Sequence, residues 1–163
     1  VLEKVPNANL WIMGDYEKEP TYYMECLNLL DALKITKVTF LGEVERKHFY
    51  PEMNLLVMSG ITEEQSLTIL NGMAAGKPFV CTNVGDSRGL MTGKVGDTFG
   101  QAGFVVSVMD SKMLADTIIQ CANEPENLQK MGETAQKRVS AFYQRTNFLN
   151  RYMSIYGLYG GKK

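Results

Sequence analysis

The chain has 163 residues, 45% of them hydrophobic and 21% charged, with a formal net charge of −1. That length sets one domain as the prior and suffices to bury about two-thirds of the unfolded surface. The near-neutral charge excludes a nucleic-acid partner held by bulk electrostatics, and no run of about 18 apolar residues is present to make a transmembrane helix.

In chain order, residues 1–5 read as the end of a helix stopped by Pro6, and 9–13 as a buried strand turning at Gly14. An acidic loop, 15–19, follows. Pro20 then opens a helix with Tyr23, Cys26, Leu27, Leu30 and Leu33 on its apolar face. Residues 37–42 are a strand, 44–50 a short helix ending near Pro51, and 54–58 a buried strand. The stretch 63–76 reads as a loop opening into a helix, stopped by Gly76 and Pro78. Leu67, Leu70 and Ala74 fall at i, i+3 and i+7, so they share a face. Asn71 at i+4 points inward with them and needs a partner there. Residues 78–82 form the next strand, which completes a βαβ unit.

A turn at 83–87 follows, where Asp86 or Ser87 caps a short helix to Met91. Residues 92–101 are a Gly-rich loop and 103–106 a strand. Ser111 caps a helix to about Asn123. Pro125 opens another with Leu128, Met131, Ala135, Val139 and Phe142 on one face. The last helix uses Phe148, Leu149, Tyr152, Ile155 and Tyr156, and the tail 160–163 is expected to fray. Five strands alternating with helices predict an α/β, Rossmann-like three-layer domain with a mainly parallel sheet.

In a βαβ unit the loop after the strand faces the ligand crevice, and the following helix start suits a phosphate. Glu63 and Glu64 stand at that place. Alone they read equally as acids that complement a helix dipole. No Gly-x-Gly-x-x-Gly follows the first strand and no Walker loop exists, which argues against a dinucleotide enzyme or P-loop ATPase. His48, the only histidine, excludes multi-histidine metal sites and reads as solvated beside Glu45, Arg46 and Lys47. Cys26, Cys81 and Cys121 read as reduced, packed thiols of a cytoplasmic protein. No signal peptide is expected, and the start at Val1 reads as that of an excised piece.

The run Glu63, Glu64, Gln65, Ser66, then Asn71-Gly72-Met73-Ala74-Ala75-Gly76-Lys77-Pro78-Phe79-Val80-Cys81-Thr82, resembles the donor-binding signature of retaining glycosyltransferases of family four, which have the GT-B fold. Val38, Phe40 and Gly42 resemble the strand before the base pocket. Asn83-Val84-Gly85 resembles the turn after the central unit, and 100–106 the last strand. The acidic loop and helix, from Asp15-Tyr16-Glu17 to Glu25-Cys26, are similar to the PelF-like subgroup, which uses UDP-glucose in making an exopolysaccharide.

The resemblance implies that residues 1–163 are the donor-binding half of a GT-B enzyme, with a C-terminal helix and tail at 144–163. The acceptor-binding half and the first strand, whose loop in the family carries an Arg and a Lys for the diphosphate, would be absent. It implies transfer of a hexose from UDP-glucose to a glycan, without a metal or other cofactor, in the cytoplasm. The glycan acceptor would meet the missing half, and this piece alone would not turn over. By the same carry-over Glu63 is the candidate catalytic residue, holding donor-sugar hydroxyls at the reacting centre. The N–H groups of Glu64, Gln65, Ser66 and Leu67 face the sugar or diphosphate, and Gly42 borders the base. Asn71 stands where the family has a Glu that grips the ribose.

Three positions depart from the pattern: Asn71, Glu64 in place of Gly, and Ser66 where the subgroup often has Pro. They keep open a second reading, a non-catalytic interaction module with a degenerate nucleotide site. A receiver- or flavodoxin-like domain is disfavoured, because the acidic residues that would hold Mg²⁺ or accept a phosphate do not cluster at strand ends. Asn71 also reads as a buried amide bonded to backbone. Tyr143, Tyr152, Tyr156 and Tyr159 read as packing residues, left exposed if the other half is absent. Lys94 reads as solvated.

Overall fold

A computed structural model describes residues 1–160, with side chains to residue 157. Beyond Gly160 the expected frayed tail lies outside the described residues, as does the side chain of Tyr159. The fold is α/β, as expected. The five strands among the described residues pair in parallel, not as one sheet but as two, and the chain divides into compact units at residues 51 and 52.

In the first unit, residues 1–5 make a single helical turn, closed by the Val5 N–H donating to Val1 O at 2.9 Å. Strand β1, Leu10–Met13, pairs with β2, Val38–Gly42, with Leu10 opposite Val38. Helix α1, Pro20–Ala32, starts at its proline, which has no N–H to leave unpaired. Tyr23, Cys26, Leu27 and Leu30 are half-buried on it, while Leu33 is exposed. Tyr16 and Tyr23 stack with ring centroids 4.5 Å apart, and Phe40 meets both edge-on. The expected burial of β1 is not found. The strand pairs on one side only, and Leu10 and Trp11 are exposed. The helix expected at 44–50 is replaced by two 3-10 turns, Arg46–His48 and Tyr50–Glu52. Pro51 lies inside the second and cannot donate the i→i−4 bond of an α-helix. His48 is exposed, as read from its neighbours.

The second unit holds β3, Leu56–Met58, β4, Phe79–Thr82, and β5, Gly103–Val106, in the order β3-β4-β5. Its helices are α2, Leu67–Ala74; α3, Ser87–Thr92; α4, Ser111–Asn123; α5, Pro125–Phe142; and α6, Arg145–Gly160. All four residues of central β4 are buried. Alternate side chains leave a strand on opposite faces. Accordingly Phe79 and Cys81 join a core with Ile69, Met73, Leu90, Met91, Ala135 and Val139. Val80 joins another with Val106, Cys121, Leu114 and Ile118. The sheet is therefore covered by α2, α3 and α5 on one face and by α4 on the other.

Helix α4 is capped by Asp110 rather than Ser111; its carboxylate accepts from the Met113 N–H at 2.8 Å. On α5 the expected inward face is present except for Phe142, which is exposed with its ring 6.0 Å from that of Phe99. Arg138 is buried on the same helix, 1% exposed. The apolar residues of α6, Phe148 to Tyr156, are exposed. Among the described residues no helix is long and apolar enough to cross a membrane.

Candidate functional site

Strand β3 ends at Met58, and residues 59–66 carry the chain across the carboxyl end of the sheet into α2. The loop is tied down at several points. The Thr82 hydroxyl, at the end of β4, donates to Gly60 O at 2.5 Å. Gly85 passes directly beneath the acidic pair. Its φ is +50°, and a Cβ there would stand 1.8 Å from Glu64 O and 2.5 Å from Glu63 O. No side chain fits that contact. The Asp86 N–H then donates to Glu64 O at 2.9 Å. Below, the buried Ser87 hydroxyl donates to Thr82 O at 2.8 Å and accepts from the Val84 N–H at 3.1 Å, which fixes the turn itself.

The side chain of Asp86 does not cap α3. Its Oδ2 accepts instead from Gln65 Nε2 at 3.1 Å and from Lys94 Nζ at 2.7 Å. Lys94 is thus not merely solvated. Its ammonium pKa is raised, first by the hydrogen bond to Asp86, so it remains cationic. Glu63, Glu64 and Gln65 are exposed around this anchor. The Glu63 carboxyl turns back toward Gly60, where a Cβ would stand 3.6 Å from its Oε1.

Helix α2 starts at Leu67 after the buried, extended Ser66, whose hydroxyl makes no capping bond. Its inward face differs from the expected one. Ile69, Gly72 and Met73 are buried, whereas Leu67 is 72% exposed and Asn71 and Ala74 are exposed. Gly72 decides the rotation. A Cβ there would lie 2.4 Å from Leu56 Cδ1 and 2.6 Å from Phe79 Cζ, so helix backbone rests directly on the sheet. Asn71 consequently opens to solvent on the side of Leu67. It is not a buried amide needing a partner.

Of the residues expected to form the site, Glu63, Glu64, Gln65, Ser66, Leu67 and Asn71 are brought together on this loop and the first turns of α2. Gly42 belongs to the first unit. It ends β2 with φ +71° and accepts from the Gly14 N–H at 2.9 Å. A hollow beside it is lined by Gly14, Asp15, Lys18, Glu43, Glu45 and Arg46. Reading the sequence missed the anchoring role of Gly85, Asp86 and Lys94. Lys94 lies eight residues from Asp86 across a loop, a spacing that no helical or strand period flags. Among the described residues no three His, Cys, Asp or Glu side chains gather as a metal-binding group. All three cysteines are free thiols, and burial pushes Cys81 and Cys121 up to about 11.

Residues 1–124 match the family described as Glycosyl transferases group 1. The chain belongs to that family. It is 25% identical over 157 residues to the putative glycosyltransferase EpsD of Bacillus subtilis, covering 96% of this chain and 39% of that one. Its fold is similar to sucrose-phosphate synthase from Thermosynechococcus elongatus, with a TM-score of 0.84 at 19% identity over 99% of this chain and 41% of the other. It is also similar to HepE from Anabaena solved with UDP, with a TM-score of 0.83 at 20% identity over 96% of this chain and 43% of HepE. HepE has been solved with UDP-glucose as well. The two solved structures share with this chain the Rossmann-like architecture of GT-B glycosyltransferases. The chain spans about two-fifths of the length of each of these relatives.

Proposed function

We propose that this chain is the donor-binding half of a retaining GT-B glycosyltransferase of the PelF-like subgroup. It takes a hexose from UDP-glucose for transfer to a glycan in exopolysaccharide synthesis. One observation carries the reading. In a chain of the group 1 family, loop 59–66 is anchored at the carboxyl end of a parallel strand, with Glu63, Glu64 and Gln65 exposed at the start of α2.

In this reading the Glu63 carboxylate accepts hydrogen bonds from donor-sugar hydroxyls at the reacting centre. The N–H groups of 64–67 and the partial positive charge at the start of α2 stabilise the diphosphate as it leaves. Those groups, with basic side chains of the full-length enzyme, do the work that a metal ion does elsewhere. Asn71, exposed on the first turns of α2, meets the ribose. The acceptor is held by a second half outside this sequence, and the chain alone does not turn over. Its free thiols suit a cytoplasmic setting.

The test is calorimetric titration of the chain with UDP and UDP-glucose, with GDP and ADP as controls. Selective, saturable uridine binding is the expected result. Equal affinity for all three diphosphates, or no saturation by any, would overturn the reading. The exposed Asn71 favours one other reading, a non-catalytic module that kept the fold and lost its ribose grip. Such a module binds none of these nucleotides.

A further inference from the structure

Asp86 is the point where three segments meet: the donor loop, the start of α3 and the Gly-rich loop after it. Its N–H donates to Glu64 O at 2.9 Å, and its Oδ2 receives Gln65 Nε2 at 3.1 Å and Lys94 Nζ at 2.7 Å. The backbone around it leaves space for this. Gly89 lies within the six-residue helix α3, where glycine is among the poorest formers. A Cβ at Gly89 would stand 2.6 Å from Lys94 Cε and 2.6 Å from Asp86 Oδ1. The lysine stem thus runs over a gap that only glycine leaves, and ends on the carboxylate that holds Gln65. Loop 93–102 is itself fastened, because the buried Arg138 pairs with Asp97 and donates to Gly100 O.

We propose that Asp86 and Lys94 are positioning residues, a latch that sets where loop 63–66 presents Glu63 and the neighbouring N–H groups to the donor. Neither residue needs to touch the sugar. Lys94 neutralises and orients the Asp86 carboxylate, and Asp86 holds the loop through Gln65 and Glu64 O. The donor half of this inference rests on the proposed function above; the latch itself does not.

The experiment uses the full chain and three variants: Lys94→Ala, Lys94→Arg and Gly89→Ala. Amide hydrogen exchange at Asp86 reads the latch without any nucleotide. Lys94→Ala and Gly89→Ala are expected to speed exchange there about three- to tenfold, the worth of one net hydrogen bond. Lys94→Arg keeps the cation and restores slow exchange. UDP-glucose titration reads positioning. Lys94→Ala is expected to weaken UDP-glucose several-fold while changing UDP less, a split that general destabilisation does not produce. Unchanged exchange in Lys94→Ala overturns the latch. Faster exchange with undiminished UDP-glucose affinity overturns its positioning role. If the unmodified chain binds no nucleotide while the exchange effect is present, the donor reading falls and the latch stands.

Discussion

Asn71 is the residue on which the two functional readings part. A carboxylate accepts from two ribose hydroxyls with charge assistance, at about 1.5–3 kcal/mol each against about 0.5–1.5 for neutral bonds. An amide has a single acceptor oxygen, and its NH2 can only donate. Because the side chain is exposed on α2, a longer one meets no core atoms. Asn71→Glu is therefore expected to leave stability near that of the unmodified chain and to tighten UDP binding about tenfold by calorimetry. Unchanged affinity would mean that position 71 does not face the ribose. The set Leu67, Leu70 and Ala74 selects the wrong side of this eight-residue helix; at about 100° per residue Ile69, Leu70 and Met73 cluster on another side, with Asn71 roughly opposite Ile69 and Met73. The contact that chooses the buried side is made by Gly72, a residue whose sequence signature is that of a helix breaker.

At the scale of elements, the strands were the most legible part. Each is a short apolar run bounded by glycine, proline or polar residues, and β5 falls at 103–106 as expected. The prolines at 20 and 125 mark the starts of α1 and α5 for the same reason. Loop 93–102 was legible as a loop but not as a fastened one. Its clamp is Arg138, a residue type that belongs outside unless paired, and its partners lie 38 to 48 residues away. The guanidinium pairs with Asp97 and donates to the carbonyls of Leu90, Met91 and Gly100. Arg138→Met leaves a nearly buried carboxylate and three carbonyls without that donor. A cost of about 3–5 kcal/mol is expected, with a melting temperature lower by roughly 10 °C. The hydrogen bond from Arg138 also holds the Asp97 carboxyl below the ordinary carboxylate range. The unfolded chain therefore takes up that proton more readily than the folded one. The pair's stabilisation is complete above about pH 4 and fades as the pH drops through the folded value. Urea unfolding from pH 7 to pH 3 checks this: the difference between Arg138→Met and the unmodified chain should narrow on the acid side.

For the molecule as a whole, fold class and family followed from ordered local signals, while the two-sheet division did not. A parallel pair at β1 and β2 and a parallel trio at β3, β4 and β5 look alike when written as alternating strands and helices. What stayed hidden are the contacts between separate segments: Gly85 under Glu64, Lys94 on Asp86, and Arg138 across the Gly-rich loop. Each joins residues whose separation follows no period.

The position of Arg138 along the chain has a consequence for how the molecule is made. The family match ends at residue 124, and α5 begins at Pro125. Every group that the guanidinium seals lies inside the matched region, and the group that seals them lies beyond it. During synthesis loop 93–102 therefore emerges well before its clamp, and its carbonyls wait in water until α5 follows. A chain ended at residue 124 contains the whole matched region and candidate loop yet lacks that closure, and it also loses the α5 residues Ala135 and Val139 from the core beneath α2. Such a chain is expected to lose cooperative urea unfolding, which the full chain should show; a sharp two-state transition from residues 1–124 would mean that the matched region is self-sufficient.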